Sequence, residues 1–203
     1  MAFLRPAHDS AREATLETRS LYLRPPQMRD WRQWAELRAL SREFLSPWEP
    51  TWQSDALTRS AFRRRIRRQL RDGQEDVGYA FFLFRRSNHA LLGGMTLSNV
   101  QRGAAQSCSV GYWIGRPHAG QGHMSEALKG LLGHCFGPLG LHRVEAACMP
   151  ANVASRTLLE KSGFRCEGYA RAYLKIAGSW RDHLLYAALS PRERAAAGKE
   201  DRG

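Results

Sequence analysis

No run of this sequence approaches the apolar length needed to span a bilayer, which excludes a helical membrane protein. The first residues, MAFLRPAHDS, also lack the long apolar core of a secretion signal, so a cytoplasmic location and no membrane partner are expected. Cysteine is scarce: Cys108, Cys135, Cys148 and Cys166 are widely separated, with no Cys-x-x-Cys pair and no histidine at zinc-finger spacing. Reduced structural thiols and no metal are the expectation. The Gly-Lys-Ser/Thr of a P-loop is missing, as is the three-glycine dinucleotide fingerprint, which makes ATP and NAD poor guesses. Internal repeats and linkers are absent too. One globular domain over residues 20–189 follows, with a loosely held arm (1–19) and a charged, flexible tail (190–203). Carboxylates are few: 19 Asp and Glu stand against 31 Lys and Arg, a formal charge of +12. That excess suits RNA, a multiply phosphorylated cofactor or simply a solvated arginine-rich face, and it does not choose among them.

What the sequence has is concentrated in residues 107–136. Val110, Tyr112, Trp113 and Ile114 suit a pleated strand over Ser107–Ile114, which Gly115, Arg116 and Pro117 end. Beyond the turn, Met124, Ala127, Leu128, Leu131, Leu132, Cys135 and Phe136 recur at helical spacing and form a buried face. Between them lies Ala119-Gly120-Gln121-Gly122-His123-Met124-Ser125. Glycines without a Cβ let a phosphate approach the backbone, and the first helical N–H groups have no partner within the helix. With the positive end of the helix dipole they make an anion site, although Gly-x-Gly before a helix is often only a tight loop.

A first strand is expected at residues 20–24, closed by Pro25-Pro26. Trp31, Trp34, Leu37, Leu40 and Phe44 then mark one helix over residues 29–44. Two prolines frame Trp48 and Glu49 in a defined loop, either a structural turn or part of a substrate surface. Over 58–71 a helix is expected with Phe62, Ile66 and Leu70 on one side and seven arginines from Arg59 to Arg71 on the rest. Such a helix can lie on phosphate backbones or acidic surfaces, or be a solvated face. Strands follow at 77–86 and 91–100, Gly93-Gly94 weakening the second or marking a bulge. Another strand is expected at 142–149, a helix at 152–162 ending at Gly163, and a closing pair of strands at 164–176 and 180–189.

Three pieces in fixed order carry a family resemblance: AGQGHMSEAL at the turn and helix, Asn152-x-x-Ser155 followed by LLEKSGF, and the closing EGYARAYLKIAGSWRDHLLYAAL. Together they resemble the GNAT superfamily of N-acetyltransferases, and within it the Rim-type enzymes that acetylate N-terminal amines of ribosomal proteins. The closing segment and the FLSPWEP loop look most like the RimJ branch. The resemblance implies an α/β (α+β) domain with a central, mixed, mostly antiparallel twisted sheet of about seven strands flanked by about four helices. It implies acetyl-CoA as cosubstrate, held by residues 120–125 (Gly120, Gln121, Gly122, His123, Met124 and Ser125). The family's pyrophosphate loop has Arg or Gln where this chain has Ala119, leaving backbone N–H groups to bind, with Arg116 a possible substitute. Asn152 and Ser155, ordinary helix-start residues on their own, match positions that meet the pantetheine arm and the sulfur, and Ser155 becomes the donor to the departing thiolate.

The implied reaction passes acetyl directly from thioester to amine within a ternary complex. Backbone N–H groups at Trp113 and Ile114 would hold the oxyanion. About one α-amine in ten is neutral at pH 7, against a few lysines per ten thousand, so a protein N-terminus demands less of a base. Glu49 is the candidate to steer or deprotonate it, directly or through water, with Trp48 and Tyr173 beside the acceptor; Tyr173, Asp182 and His183 are weaker candidates for the base, a structural role on the closing strands being their other reading. The basic helix could meet ribosomal RNA, and the enzyme would be a monomer or homodimer. Rival readings are an acetyltransferase for a small amine or antibiotic, and a non-catalytic binder of acetyl-CoA or RNA.

Overall fold

The computed structural model describes residues 15–191, so the expected arm up to residue 14 and the tail from residue 192 lie outside the described residues. Eight strands form one sheet: β1 (Leu16–Glu17), β2 (Leu21–Arg24), β3 (Tyr79–Arg85), β4 (Leu91–Gln101), β5 (Ser107–Ile114), β6 (Arg143–Cys148), β7 (Arg165–Ile176) and β8 (Ser179–Leu189). Their spatial order is β1-β2-β3-β4-β5-β6-β8-β7. Every neighbouring pair is antiparallel except β5 and β6, which are parallel. Five helices accompany the sheet: α1 (Trp31–Leu40), α2 (Arg42–Leu45), α3 (Arg59–Gln74), α4 (His123–Phe136) and α5 (Val153–Lys161). The mixed α/β architecture is the expected one.

The added strand, β1, pairs Leu16 with Leu23 and lies inside the stretch expected as an arm. The added helix arises because the one expected over 29–44 breaks at Ser41 (φ −100°, ψ 7°). Ser41 is fully buried, and its Oγ accepts from the Arg116 N–H at 2.9 Å. The Arg116 amide in the loop after β5 takes that hydroxyl as its partner at the point where the helix is interrupted, so a tertiary contact overrides the helical period.

β3 explains how the core is layered. Its run Tyr79-Ala80-Phe81-Phe82-Leu83-Phe84 shows no polar alternation because both faces are covered. Tyr79, Phe81 and Leu83 join the cluster under α4 and α5, with Leu128, Leu131, Cys135 and Leu159. Phe82 and Phe84 turn to the other face and meet Trp34, Leu37, Phe62 and Ile66 from α1 and α3. Each fully buried side chain of this size contributes on the order of 1.5–3 kcal/mol.

Candidate active site

A parallel pair needs a crossover, and here the crossover is α4. β5 and β6 pair only from Ser107↔Arg143 to Ser109↔Glu145. Beyond that β5 stays with β4 up to Ile114, and β6 stays with β8 up to Cys148. The two strands therefore part, opening a cleft in the middle of the sheet. Gly115 donates its N–H to Leu92 in the β4 direction, and strand alternation turns the Trp113 amide the same way. Of the two amides expected to hold an oxyanion, Ile114 faces the cleft and Trp113 does not; Tyr112 is the other that does.

Across the cleft the Tyr112 hydroxyl lies 2.7 Å from Ser155 Oγ, on the first turn of α5. Burial holds the phenol well above the ordinary tyrosine value, despite the hydrogen bond to Ser155, which lowers it. Tyr112 is therefore a neutral proton carrier at any physiological pH. Asn152 is the helix N-cap, its Oδ1 accepting from the Ser155 N–H at 3.0 Å, which fixes the turn on which Ser155 sits. Cys148, buried nearby, has its thiol raised by burial first and stays protonated, so it is no nucleophile.

At the other wall, Gly120 (φ 73°) and Gly122 (φ 81°) both take the left-handed conformation that glycine adopts without strain. The first helical bond runs from Glu126 N–H to the Gly122 carbonyl. The amides of residues 120–125 have no protein acceptor among the described residues. Arg85, from the end of β3, reaches His123 Nε2 at 3.4 Å. Burial, then Arg85 and His123, push His118 below the ordinary histidine value. Free amides, a helix N-terminus and an arginine at one point fit a diphosphate. Gln121 instead turns its Nε2 back to the Pro117 carbonyl at 2.8 Å, and Met124 is buried in the core.

On the α1/α3 face a groove of about 740 Å³ runs to Tyr112 and Trp113. Trp113 lies close over β4 because Gly93 and Gly94 leave room: a Cβ on Gly94 would stand 2.6 Å from the indole nitrogen. Arg38 grips Glu49 with both terminal guanidinium nitrogens (2.7 and 2.6 Å), and Trp52 Nε1 donates to the same carboxylate at 2.8 Å. The Arg38 guanidinium also sits over the rings of Trp52 (4.2 Å) and Trp113 (4.9 Å). The loop is braced from behind, where the Ala177 N–H in the β7–β8 turn donates to the Glu49 carbonyl at 3.0 Å. Another cavity, of about 600 Å³, lies between α3 and β3 and includes nothing from β5.

Residues 20–165 match the family model described as an acetyltransferase (GNAT) domain. The chain belongs to the GNAT family. It is thus an N-acetyltransferase, and its relatives are of the RimJ/RimL kind. The [Ribosomal protein uS5]-alanine N-acetyltransferase of Escherichia coli (strain K12) is 36% identical over 87% of this chain and 91% of its own length. Mycobacterium smegmatis RimJ, solved in complex with CoA-disulfide, superposes with a TM-score of 0.85 at 32% identity, covering 93% of this chain and 96% of that one. The ribosomal-protein-S5-alanine acetyltransferase from Vibrio fischeri gives 0.81 at 27% identity over 88% and 97%.

In this GNAT chain the structure gathers Ser155, Asn152, Ile114 and the loop of residues 120–125 around the cleft, and Glu49 at the groove. Trp48 is held in a 3-10 turn and does not line the groove; Trp52, four residues on, does. Tyr173 stands half-exposed on β7 with its ring against His183 (5.8 Å between centroids), also outside the groove. Asp182 is occupied by Tyr169 and by the Ala172 N–H, and His183 Nδ1 contacts the Arg181 carbonyl. The sequence reading missed Tyr112, Arg85, Arg38 and Trp52. Tyr112 sat in plain view on the central strand, but nothing local marks which strand residue meets α5. No helix among the described residues is long and apolar enough to cross a membrane, and no group of three or more His, Cys, Asp or Glu side chains gathers among them to hold a metal.

Proposed function

We propose that the chain transfers the acetyl group of acetyl-CoA to the α-amine of a protein N-terminus, a ribosomal protein in the first instance. The observation that carries this reading is the 2.7 Å contact between Tyr112 and Ser155 across the gap between β5 and β6, beside the free amides of residues 120–125. It is supported by the uS5-alanine activity of the Escherichia coli relative and by the CoA-derived ligand of Mycobacterium smegmatis RimJ.

The loop amides, with Arg85 and His123, hold the diphosphate, and the Ile114 amide polarises the thioester carbonyl. The α-amine arrives along the groove as the ammonium, steered by the Glu49 carboxylate, and loses one proton to water before it attacks. Its nitrogen forms the new bond to the carbonyl carbon, and the carbon–sulfur bond breaks. Ser155 gives its hydroxyl proton to the departing thiolate and recovers one from Tyr112, and the surplus ammonium proton leaves through water at Glu49 to restore Tyr112 by way of solvent. The acetylated amide and the free thiol are the products. Glu49, with three of its acceptor directions taken by Arg38 and Trp52, acts as a fixed charge rather than as a mobile base.

The test is mass spectrometry of ribosomal proteins incubated with enzyme and acetyl-CoA, alongside a panel of small amines. One acetyl on an N-terminal peptide is the expected product; acetylation confined to small amines overturns the acceptor class, and calorimetry without binding of acetyl-CoA overturns the reaction.

A further inference from the structure

The groove leading to Trp113 is walled by α3, from which Arg64, Arg65, Arg68 and Arg71 line it. Arg64 is matched by Asp55, and both are exposed. Arg65, Arg68 and Arg71 have no carboxylate partner among the described residues. Arg65 is the least comfortable: its Nε is buried with no hydrogen-bond partner, as is that of Arg38. Burial, then Arg38 and Arg68, lower its pKa against the opposing pull of Glu49. A buried guanidinium nitrogen left without a partner costs stability.

The groove combines apolar walls, Trp34, Trp52, Leu57 and Trp113 among them, with a row of charged side chains. Its two carboxylates are each paired, Glu49 with Arg38 and Asp55 with Arg64, which leaves Arg65, Arg68 and Arg71 as the unmatched charges along it. The acceptor of the reading above is a polypeptide, and Asp or Glu side chains on it would match those three cations. From Arg65 to Arg71 the helix rises about 9 Å, the length of about three residues of extended chain.

We propose that the groove selects acceptor polypeptides carrying Asp or Glu within about the first five residues, with Arg65, Arg68 and Arg71 as the receiving cations. This rests on the α-amine reading above and specifies its acceptor.

The experiment compares peptides sharing one N-terminal residue but bearing Asp/Glu, Asn/Gln or Lys at positions three to five. Wild-type kcat/KM is expected to fall at least about tenfold from acidic to lysine peptides, chiefly through KM, and the difference to shrink with added salt. In the Arg65→Gln/Arg68→Gln variant the three peptides are expected to converge, and Arg68→Glu to favour the lysine peptide. Acetyl-CoA affinity by calorimetry, unchanged in the variants, shows that they are folded; if Arg65→Gln lowers it, Arg68→Glu alone carries the comparison. Equal rates for all peptides in the wild type overturn the proposal while leaving α-amine transfer intact. No acetylation of any peptide, with acetyl-CoA bound, removes the α-amine reading and this proposal with it. Binding of a short single-stranded RNA that depends on Arg65 and Arg68, with peptide charge immaterial, assigns the groove to nucleic acid instead.

Discussion

Tyr112 on β5 and Ser155 on α5 share a hydrogen bond of 2.7 Å across the one parallel junction of the sheet, just past the point where its two strands stop pairing. Neither hydroxyl would reach the other had the strands continued in register, because the cleft is what lets α5 present its first turn to β5.

Ser155→Ala is expected to lower kcat about 10²-fold or more, with little change in the affinity for acetyl-CoA, and Tyr112→Phe to do nearly as much. Because the two act in series, the double variant should resemble the worse single one. Thiol release at saturating acceptor measures this; additive losses would mean the residues act independently. Tyr112 has a raised folded pKa, so its contribution to stability is complete below the ordinary tyrosine value near 10 and is lost as pH rises beyond it.

Glu49→Gln keeps the shape of the loop but gives up the charge. A rise in acceptor KM with kcat nearly kept is the expected signature of steering; an equal fall in kcat would make Glu49 the base after all. Arg38→Met strands the half-buried carboxylate and should cost about 2 kcal/mol, more than the Arg38→Met/Glu49→Gln pair, as read by denaturant melts.

Gly122→Ala meets no atom within 4 Å, so any effect comes from forcing a side chain to φ 81°. About 1–2 kcal/mol of stability should go, and acetyl-CoA affinity should weaken as the amides tilt. A normal binding isotherm in calorimetry would contradict the phosphate role of this loop.

Glu126, on the first turn of α4, accepts from Thr18 Oγ1, the Ser20 N–H and Ser20 Oγ at 2.6–2.7 Å. Burial alone would raise its pKa, but those hydrogen bonds override it and leave the carboxyl below its usual value. A lowered folded pKa stabilises above the unfolded value and the gain is lost as pH falls through the folded one. Glu126→Gln should therefore lower Tm by a few degrees at pH 7, for about 1–2 kcal/mol, and the gap should close in strong acid. A pH-independent gap in the melts would remove the ionic part of that account.

Local order was legible: the strand, the Gly120–Gly122 turn and α4 follow one another as their residues dictate, and Asn152 and Ser155 begin a helix as such residues do. Pairings between distant segments were not. Arg85 and His123 stand 38 positions apart, Tyr112 and Ser155 43, and no periodicity connects them. Strand alternation put Ile114 rather than Trp113 toward the cleft, a matter of register that composition does not carry. The prolines around Trp48 rightly announced a constrained loop, but the tryptophan that lines the groove is Trp52, beyond them and hydrogen-bonded to Glu49. Ser41 broke a helix whose apolar period runs straight through it, because its hydroxyl had a partner elsewhere.

β8 is the last of the eight strands along the chain, yet it lies between β6 and β7. During translation β6 must wait, one edge bare, until residues 179–189 emerge and slot in beside it. The turn that steadies Glu49 is delivered by the same late hairpin. A chain cut short anywhere before residue 179 would keep a cleft with one wall unsupported and a strand edge open to aggregation.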